Sequence, residues 1–334
     1  MAVRPLVSVV VPTRNRCHLL ARCLTALAAQ DYSPFEVVVV DDHSSDETAR
    51  VLSSFREGSL RLRWLRNDRQ CGANPSRNRA IRASEGELIA LLDDDCIAEP
   101  AWLGRLVAGF VSERVAAVTG TIVDPPAQNI YDLAFRGTHR VHGRTHASRL
   151  VGGNLCVRRR FVEAGLDEDR AVMRVDTTVS GRGDEEGLFL RLRAQGYEQR
   201  IAPDAIVLHE HHHTRQSFFR QAFEGGRSAA RLGYKYHLPL RLELSCLLLG
   251  YLLLPASALG AAGLASAAAS SALFLVAITY NELWRKRKTV RETIVSGPVV
   301  LAYYHVRAAG YFIQLARLWT AREHIQRVAL GTPR

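Results

Sequence analysis

The stretch Leu88-Ile-Ala-Leu-Leu-Asp-Asp-Asp-Cys-Ile97 joins an apolar run to three adjacent carboxylates, Asp93, Asp94 and Asp95. The apolar part suits a strand buried on both faces of a parallel sheet. Three neighbouring negative charges cannot be buried with it, so they fall at the strand's end. There they repel one another unless a cation is present. Carboxylate oxygens favour a hard divalent ion such as Mg²⁺ or Mn²⁺, and such an ion usually bridges to substrate phosphates. Taken alone, the segment reads either as a metal and phosphate site at the carboxyl edge of an α/β sheet or as a solvated acidic turn capping a helix.

The flanking sequence favours the first reading. Val7–Val11 is a strand pattern, Pro12–Arg16 a turn, and His18–Gln30 a helix with Leu19, Leu20, Leu24 and Leu27 on one broad face. Phe35–Val40 is a second strand and ends in Asp41-Asp42. Ser45-Asp-Glu-Thr48 starts a helix, with Ser and Asp available as caps. Leu60–Leu65 and Leu88–Leu92 are further strands, and Pro75–Ser84 and Pro100–Val111 further helices. This alternation predicts a doubly wound, mostly parallel sheet flanked by helices, with its ligand beyond the carboxyl ends of the strands. Pro12-Thr-Arg-Asn15, Asp41-Asp42 and Asp93–Asp95 converge on that edge. Arg14, Arg77 and Arg79 can meet phosphate oxygens while the acidic triplet holds the bridging ion. No G-x-x-x-x-G-K-[ST] loop and no G-x-G-x-x-G after the first strand occurs, which argues against P-loop NTPases and dehydrogenases.

The chain has 334 residues, 47% of them hydrophobic, enough for a real core. Its net charge of +11 is concentrated at one end: residues 281–334 hold ten Lys/Arg against three Asp/Glu, a surplus of seven. Such a tail suits nucleic acid or an anionic membrane. No interleaved aromatic and basic residues suggest a nucleic-acid surface, and what precedes the tail favours a membrane. Leu244–Asn281 has no charged residue and basic residues on both flanks (Arg231, Lys235, Arg241 and Arg285–Lys288). That pattern predicts a membrane hairpin with both ends cytoplasmic, broken at Pro255, Gly260 or Gly263; the alternative is a soluble helical subdomain. Val299–Trp319, with Arg307, Gln314 and Arg317 on one face, reads as an interfacial helix. The expected domains are therefore 1–239 and 240–334. The amino terminus has no signal-peptide pattern, and the six cysteines show no paired spacing, so a reducing compartment and no zinc site are expected.

With these residues in view, the chain resembles the family 2 glycosyltransferases. The likeness lies in Val7-Ser-Val-Val-Val-Pro-Thr-Arg-Asn15, Val37-Val-Val-Val-Asp-Asp-His-Ser-Ser-Asp46, Gly72-Ala-Asn-Pro-Ser-Arg-Asn78 and Leu91-Leu-Asp-Asp-Asp-Cys96. It continues through Gly152-Gly-Asn154, Gly183-Asp-Glu-Glu-Gly-Leu-Phe-Leu-Arg-Leu-Arg193, Gly196-Tyr197 and Val207-Leu-His209. The ordered set covers roughly the first 215 residues. The resemblance implies the GT-A fold, a Rossmann-like sheet that binds a nucleotide-sugar and a divalent metal, here Mg²⁺ or Mn²⁺. It implies inverting transfer to a hydroxyl, with UDP the family's commonest donor nucleotide and GDP or dTDP also found. The acceptor it suggests is a glycan or lipid-linked acceptor at the cytoplasmic face of the inner membrane, in surface polysaccharide or glycolipid synthesis. The alternative is a catalytically weak nucleotide-sugar-binding relative that serves as an assembly partner.

The same resemblance distributes roles. Pro12, Thr13 and Arg14 line the nucleotide pocket, Asp42 reads the base, and Arg77 approaches the base or diphosphate. Asp93, Asp94 and Asp95 carry the D-x-D motif: Asp95 is the first metal ligand, Asp93 holds metal or donor sugar, and Asp94 lies with the nucleotide-sugar. His209 contacts metal or diphosphate. Gly153 and Asn154 fall on the acceptor side. The base that takes the acceptor's proton lies in Asp184-Glu185-Glu186. The family usually has Glu-Asp at the first two places, whereas this chain has Asp-Glu. Aligned from Leu188 to Arg191, Glu185 takes the base position, with Asp184 and then Glu186 as alternatives. His211–His213 read as a solvated loop, and the Phe residues of Gln216–Tyr236 as a core-facing stripe.

Overall fold

The computed structural model describes residues 4–56, 60–136, 152–162, 184–210, 212–237, 245, 247, 249, 261–286 and 288–319. They fall into two compact units. One holds the described residues up to 125 and those from 152 to 210; the other holds 126–136 and the described residues from 212 onward.

The first unit is built on an eight-stranded sheet. In chain order it contains β1 (Val7–Thr13), α1 (Cys17–Ala28), β2 (Phe35–Asp41), α2 (Thr48–Arg56), β3 (Leu62–Arg66), α3 (Ala73–Ala83), β4 (Leu88–Leu92), β5 (Cys96–Ala98), α4 (Trp102–Ala108) and β6 (Val115–Val123). After α5 (Ile130–Phe135), which belongs to the second unit, follow β7 (Asn154–Arg158), α6 (Asp184–Ala194) and β8 (Glu198–His209). The strand order is β3-β2-β1-β4-β7-β6-β8-β5.

Every residue of β1 and β4 is buried, as a strand covered on both faces requires. Val9, Val11, Val37 and Val39 pack with α1 and α4 on one face, while Val10, Val38, Val40 and Ile89 pack with α3 and α6 on the other. This is the period-two alternation of an extended chain.

β3, β2, β1 and β4 are parallel, as the sequence predicts. The rest of the sheet is mixed, with β6 and β8 parallel. β7 is antiparallel to both β4 and β6, and β5 is antiparallel to β8. A parallel neighbour needs a crossover of a dozen or more residues. The Asp93–Asp95 link between β4 and β5 is far shorter, so β5 leaves for the opposite edge of the sheet.

The second unit is helical. α5 is joined by α7 (Arg215–Tyr236), α8 (Ala261–Tyr280), a π-helical turn at Asn281–Arg285 and α9 (Val290–Trp319). α7 and α9 pack closely. A Cβ at Gly226 would strike the Arg307 carbonyl, and one at Gly310 would strike the Phe223 carbonyl. By packing, α7 therefore belongs with the C-terminal helices, and the compact units divide near 211.

Part of the expected hairpin, residues 250–260, lies outside the described residues. Gly263 lies within α8 and does not break it. Among the described residues no helix is long and apolar enough to cross a membrane. The helix expected over Val299–Trp319 begins earlier, at Val290. Its polar stripe points inward: Gln314 is fully buried and accepts a hydrogen bond from Arg227 Nε of α7 at 3.1 Å.

Candidate active site

The three aspartates of the β4–β5 link sit in three different environments. Asp94 is buried; its Oδ2 accepts from Thr13 Oγ1 at 2.8 Å and its Oδ1 from Arg16 Nη1 at 3.0 Å. Burial pushes Asp94 up to about 6, against the pull of Arg16, and the charges of Asp95 and Asp93 add to the rise. Asp95 Oδ2 accepts from the same Arg16 nitrogen at 2.8 Å. Asp93 is the most exposed of the three and accepts from Arg77 Nη2, while Arg77 Nη1 donates to Asn74 Oδ1 at 2.9 Å. Gly153 backs onto this carboxylate, since a Cβ there would stand 2.9 Å from Asp93 Oδ2.

His209 arrives through sheet register. The antiparallel pairing of β5 with β8 sets Cys96 opposite His209, and Glu210 N donates to Asp95 O at 2.7 Å. His209 Nε2 then faces Asp95 Oδ1 at 3.4 Å. Burial disfavours the charged imidazole, but the facing Asp95, with Asp93 and Asp124 beyond it, outweighs burial and raises the His209 pKa.

Asp95, Cys96 and His209 bring their ligand atoms within 4.8 Å of one another. The Cys96 thiol is fully buried, and burial with the charges of Asp93 and Asp95 lifts it well above its usual value; its soft sulfur is in any case a poor partner for a hard divalent ion. The donors left are a carboxylate oxygen and an imidazole nitrogen, a set that fits Mn²⁺ and accepts Mg²⁺. Arg16, a cation held between Asp94 and Asp95, shows that the cluster needs positive charge.

The β1–α1 and β2–α2 loops are tied into one rim. Asn15, at φ +50°, takes a hydrogen bond from Ser45 N at 2.7 Å and donates its own backbone N–H to Ser44 Oγ at 2.9 Å. Asp41 Oδ1 accepts from Ser44 N at 2.8 Å, closing the turn. Asp42 is buried: its Oδ1 accepts from Asn67 Nδ2 and Cys71 N, and its Oδ2 from Gly72 N, each at 2.7 Å. The carboxylate thus fixes the loop that leads into α3 and Arg77.

The sequence-predicted residues therefore separate into groups. Thr13, Arg77, Asp93, Asp94, Asp95, His209 and Gly153 come together. Pro12 is buried at the end of β1, and Arg14 is exposed beside it. Arg79 is turned elsewhere, donating to Arg66 O and Asn67 Oδ1, both at 2.7 Å. Asn154 is fully buried and ties strands together. It donates to Thr121 O at 3.0 Å and Ala205 O at 2.9 Å, and it accepts from Trp102 Nε1 at 2.9 Å. Both of its amide protons are engaged, so it offers no donor to an acceptor sugar.

Asp184 and Glu185 open α6, but their side chains lie outside the described ones; Glu186 is half-buried. Arg16 was not singled out by the sequence. It lies two residues beyond the conspicuous Arg14, and only the turn into α1 aims it at the aspartates.

In the second unit His213, expected in a solvated loop, is buried, and His212 is half-buried. His213 is buried with its ring 4.2 Å from that of Phe135, and His212 Nδ1 lies 3.0 Å from Asp132 Oδ2. His211 lies outside the described residues. The Phe stripe of α7 does face the core: Phe218 is buried against Tyr131, Phe219 and Tyr303.

A mixed α/β sheet with this acidic cluster at its carboxyl edge defines a GT-A domain. Residues 8–141 match the sequence model of glycosyl transferase family 2, which marks this part of the chain as a family 2 glycosyltransferase domain. Among curated relatives, Glycosyltransferase AglE of Haloferax volcanii is 35% identical over 128 residues, 38% of this chain and 40% of the relative. The GalNAc(5)-diNAcBac-PP-undecaprenol beta-1,3-glucosyltransferase of Campylobacter jejuni is 35% identical over 92 residues, 27% of this chain and 30% of the relative. The putative colanic acid biosynthesis glycosyl transferase WcaA of Escherichia coli is 31% identical over 121 residues, 36% of this chain and 41% of the relative. The chain thus spans well under half the length of these relatives. The Mannosyltransferase PcManGT from Pyrobaculum calidifontis, solved with GDP-Man and Mn²⁺, shares the fold. Its TM-score is 0.61 at 21% identity, covering 93% of this chain and 88% of that one.

Proposed function

We propose that this chain transfers a sugar, with inversion, from a nucleoside-diphosphate donor to a hydroxyl of a glycan or lipid-linked acceptor. The observation that carries this reading is the Asp93–Asp95 cluster, held by Thr13, Arg16 and Arg77 and faced by His209 at one sheet edge. The donor nucleotide would lie along the rim of Pro12–Arg14, with Asp42 holding the loop that shapes its base pocket. Asp95 and His209 would hold Mn²⁺ or Mg²⁺, with Asp93 nearest the donor sugar. The ion, when bound, supplies positive charge to the departing diphosphate. Arg77, now paired with Asp93, lies close enough to share that task, because a leaving diphosphate gains charge as the glycosidic bond breaks. The acceptor hydroxyl is a weak nucleophile and needs a carboxylate to take its proton; Glu185, or its neighbour Asp184, fills that role. Gly153, a gap beside Asp93, leaves room for a sugar.

The names of the relatives support the acceptor class: one acts on an undecaprenol-linked glycan, and another is assigned to colanic acid biosynthesis. A lipid-linked acceptor and the basic C-terminal segment together favour work at the cytoplasmic face of the inner membrane.

The test is thermal-shift titration of the purified chain with UDP, GDP and dTDP, each with and without Mn²⁺. GDP is included because PcManGT was solved with GDP-Man. Binding to the native state raises stability with the logarithm of ligand excess, by about 2.7 kcal/mol at a hundredfold excess over Kd. A shift for one nucleotide that needs the metal and vanishes in Asp95→Ala supports the donor site. No shift with any nucleotide sinks it.

A further inference from the structure

The second unit distributes polar and apolar side chains the wrong way round for a body surrounded by water. α8 has no charged residue, yet it exposes Leu273, Leu275, Val276 and Tyr280. Beyond it Trp284 is 72% exposed, and on α9 Val290, Ile294 and Val295 are exposed in turn. Further along α9, Gln314 is buried against Arg227 while Phe312 and Ile313 face outward. In the first unit the exposed large apolar side chains among the described residues are Val111, Val123 and Leu208. Contiguous apolar exposure on this scale marks a surface that meets something other than water.

Two features specify what it meets. Between α8, the π-helical turn and the start of α9 runs a mostly apolar groove of about 250 Å³, lined by Leu275, Ile278, Leu283, Ile294 and Leu301, with Thr293 and the ion-paired Glu282 also on its wall. Residues 281–295 carry Arg285, Lys286, Arg287, Lys288 and Arg291 against Glu282 and Glu292, a surplus of three positive charges. Lys286 and Lys288 turn inward onto Glu282, and Arg291 is exposed. Exposed aromatic and aliphatic side chains next to the exposed Arg291 match a lipid headgroup boundary, where rings sit at the interface and a cation meets phosphate. No described helix is long and apolar enough to cross a membrane; an apolar face beside a cation suits a surface that lies in the headgroup boundary.

We propose that this face of the second unit docks onto an anionic phospholipid bilayer. α8, Trp284 and the first turns of α9 enter the headgroup boundary, the groove takes one lipid hydrocarbon tail, and Arg291 meets lipid phosphates. The inference deepens the membrane placement proposed above and rests on it, not on the sugar-transfer chemistry.

The test is flotation of the full chain with vesicles of phosphatidylcholine and of phosphatidylcholine mixed with phosphatidylglycerol. Wild type floats with the mixed vesicles. Trp284→Ser and Ile294→Ser, both at highly exposed positions, each lower the bound fraction by about tenfold on either vesicle. Arg291→Gln lowers it by about fivefold on the anionic vesicles alone. An unchanged nucleotide-dependent thermal shift shows that the variants are folded. Vesicle binding by wild type without any nucleotide shift supports the lipid surface while counting against the donor site. Failure to float overturns the proposal. So does a wild-type dimer in sedimentation equilibrium that Trp284→Ser dissociates, since a second copy then covers the face.

Discussion

Arg16 stands where a metal's charge is needed. One guanidinium nitrogen reaches Asp94 at 3.0 Å and Asp95 at 2.8 Å, so in the free protein a side chain does part of what a divalent ion would do in the loaded one. Removing it leaves two close carboxylates with less compensation. Because Arg16 is 40% exposed, the cost stays below that of a fully buried pair. Arg16→Ala should lower the apo protein's stability by about 1–2 kcal/mol in urea unfolding. Mn²⁺ should recover much of that loss, so its stabilising shift is larger in the variant than in wild type. Equal shifts would show that Arg16 and the ion do not share the same charges. His209 and Cys96 make a second comparison at this scale. His209→Ala should weaken Mn²⁺ binding by at least about tenfold, as loss of a metal-shell group does. Cys96→Ser should leave it nearly unchanged, because a soft sulfur is a poor ligand for a hard ion such as Mn²⁺. Titration of Mn²⁺ by electron paramagnetic resonance separates the two; a large loss in Cys96→Ser would make the sulfur a ligand.

At the scale of elements, Asn154 shows how the sheet is fastened. Its amide joins β7 to β6 through Thr121 O, to the body of β8 through Ala205 O, and to α4 through Trp102 Nε1. Asn154→Ala would leave an indole N–H and two carbonyls buried with fewer partners, each costing about 1–3 kcal/mol. The expected loss is about 3–5 kcal/mol in urea unfolding, large enough to depress expression. A loss under about 1 kcal/mol would mean that water or a neighbouring group replaces the amide.

The same element explains what the sequence reveals and what it hides. β1, β2 and β4 announce themselves because both faces are buried, so their apolar runs are unbroken. The acidic triplet is legible for the same reason, since charge that cannot enter a buried strand must sit at its end. β7 and β8 carry no such run: β7 is five residues long, and β8 contains Pro203 and an irregular register against β6. His209 reaches Asp95 only through the β5–β8 register, a long-range pairing that no local pattern encodes. A histidine run looks polar in sequence, yet His213 is buried. Its burial comes from Asp132, whose Oδ1 takes the His213 N–H at 2.6 Å, and from the Phe135 ring.

Over the whole molecule, the net charge of +11 hides where charge is buried. In the second unit Glu282 is almost fully buried, with Lys286 Nζ at 2.8 Å from its Oε1 and Lys288 Nζ bonded to its Oε2 and, at 2.9 Å, to Ala134 O. Burial, helped by the charge of Lys286, pulls Lys288 down to about 8 from 10.5, although Glu282 and Glu292 oppose the fall. The sign of the consequence follows from proton counting. Between about pH 8 and 10.5 the unfolded chain keeps the Lys288 proton and the folded chain releases it, so stability attributable to this group rises with pH. Below about pH 8 both states are protonated, and the full penalty of burying the charge applies, on the order of 3 kcal/mol. Lys288→Met keeps the aliphatic bulk, removes that penalty and leaves Lys286 to pair with Glu282. The variant should therefore match or exceed wild type in stability near neutral pH. Its advantage should shrink as pH climbs from about 8 to about 10, where wild type sheds the proton. Urea unfolding of both proteins across that range, monitored by circular dichroism because this unit is helical, reads the difference directly. A difference that stays flat with pH would mean that Lys288 remains charged in the folded state. A difference that grows with pH would reverse the sign and place the titration on another group.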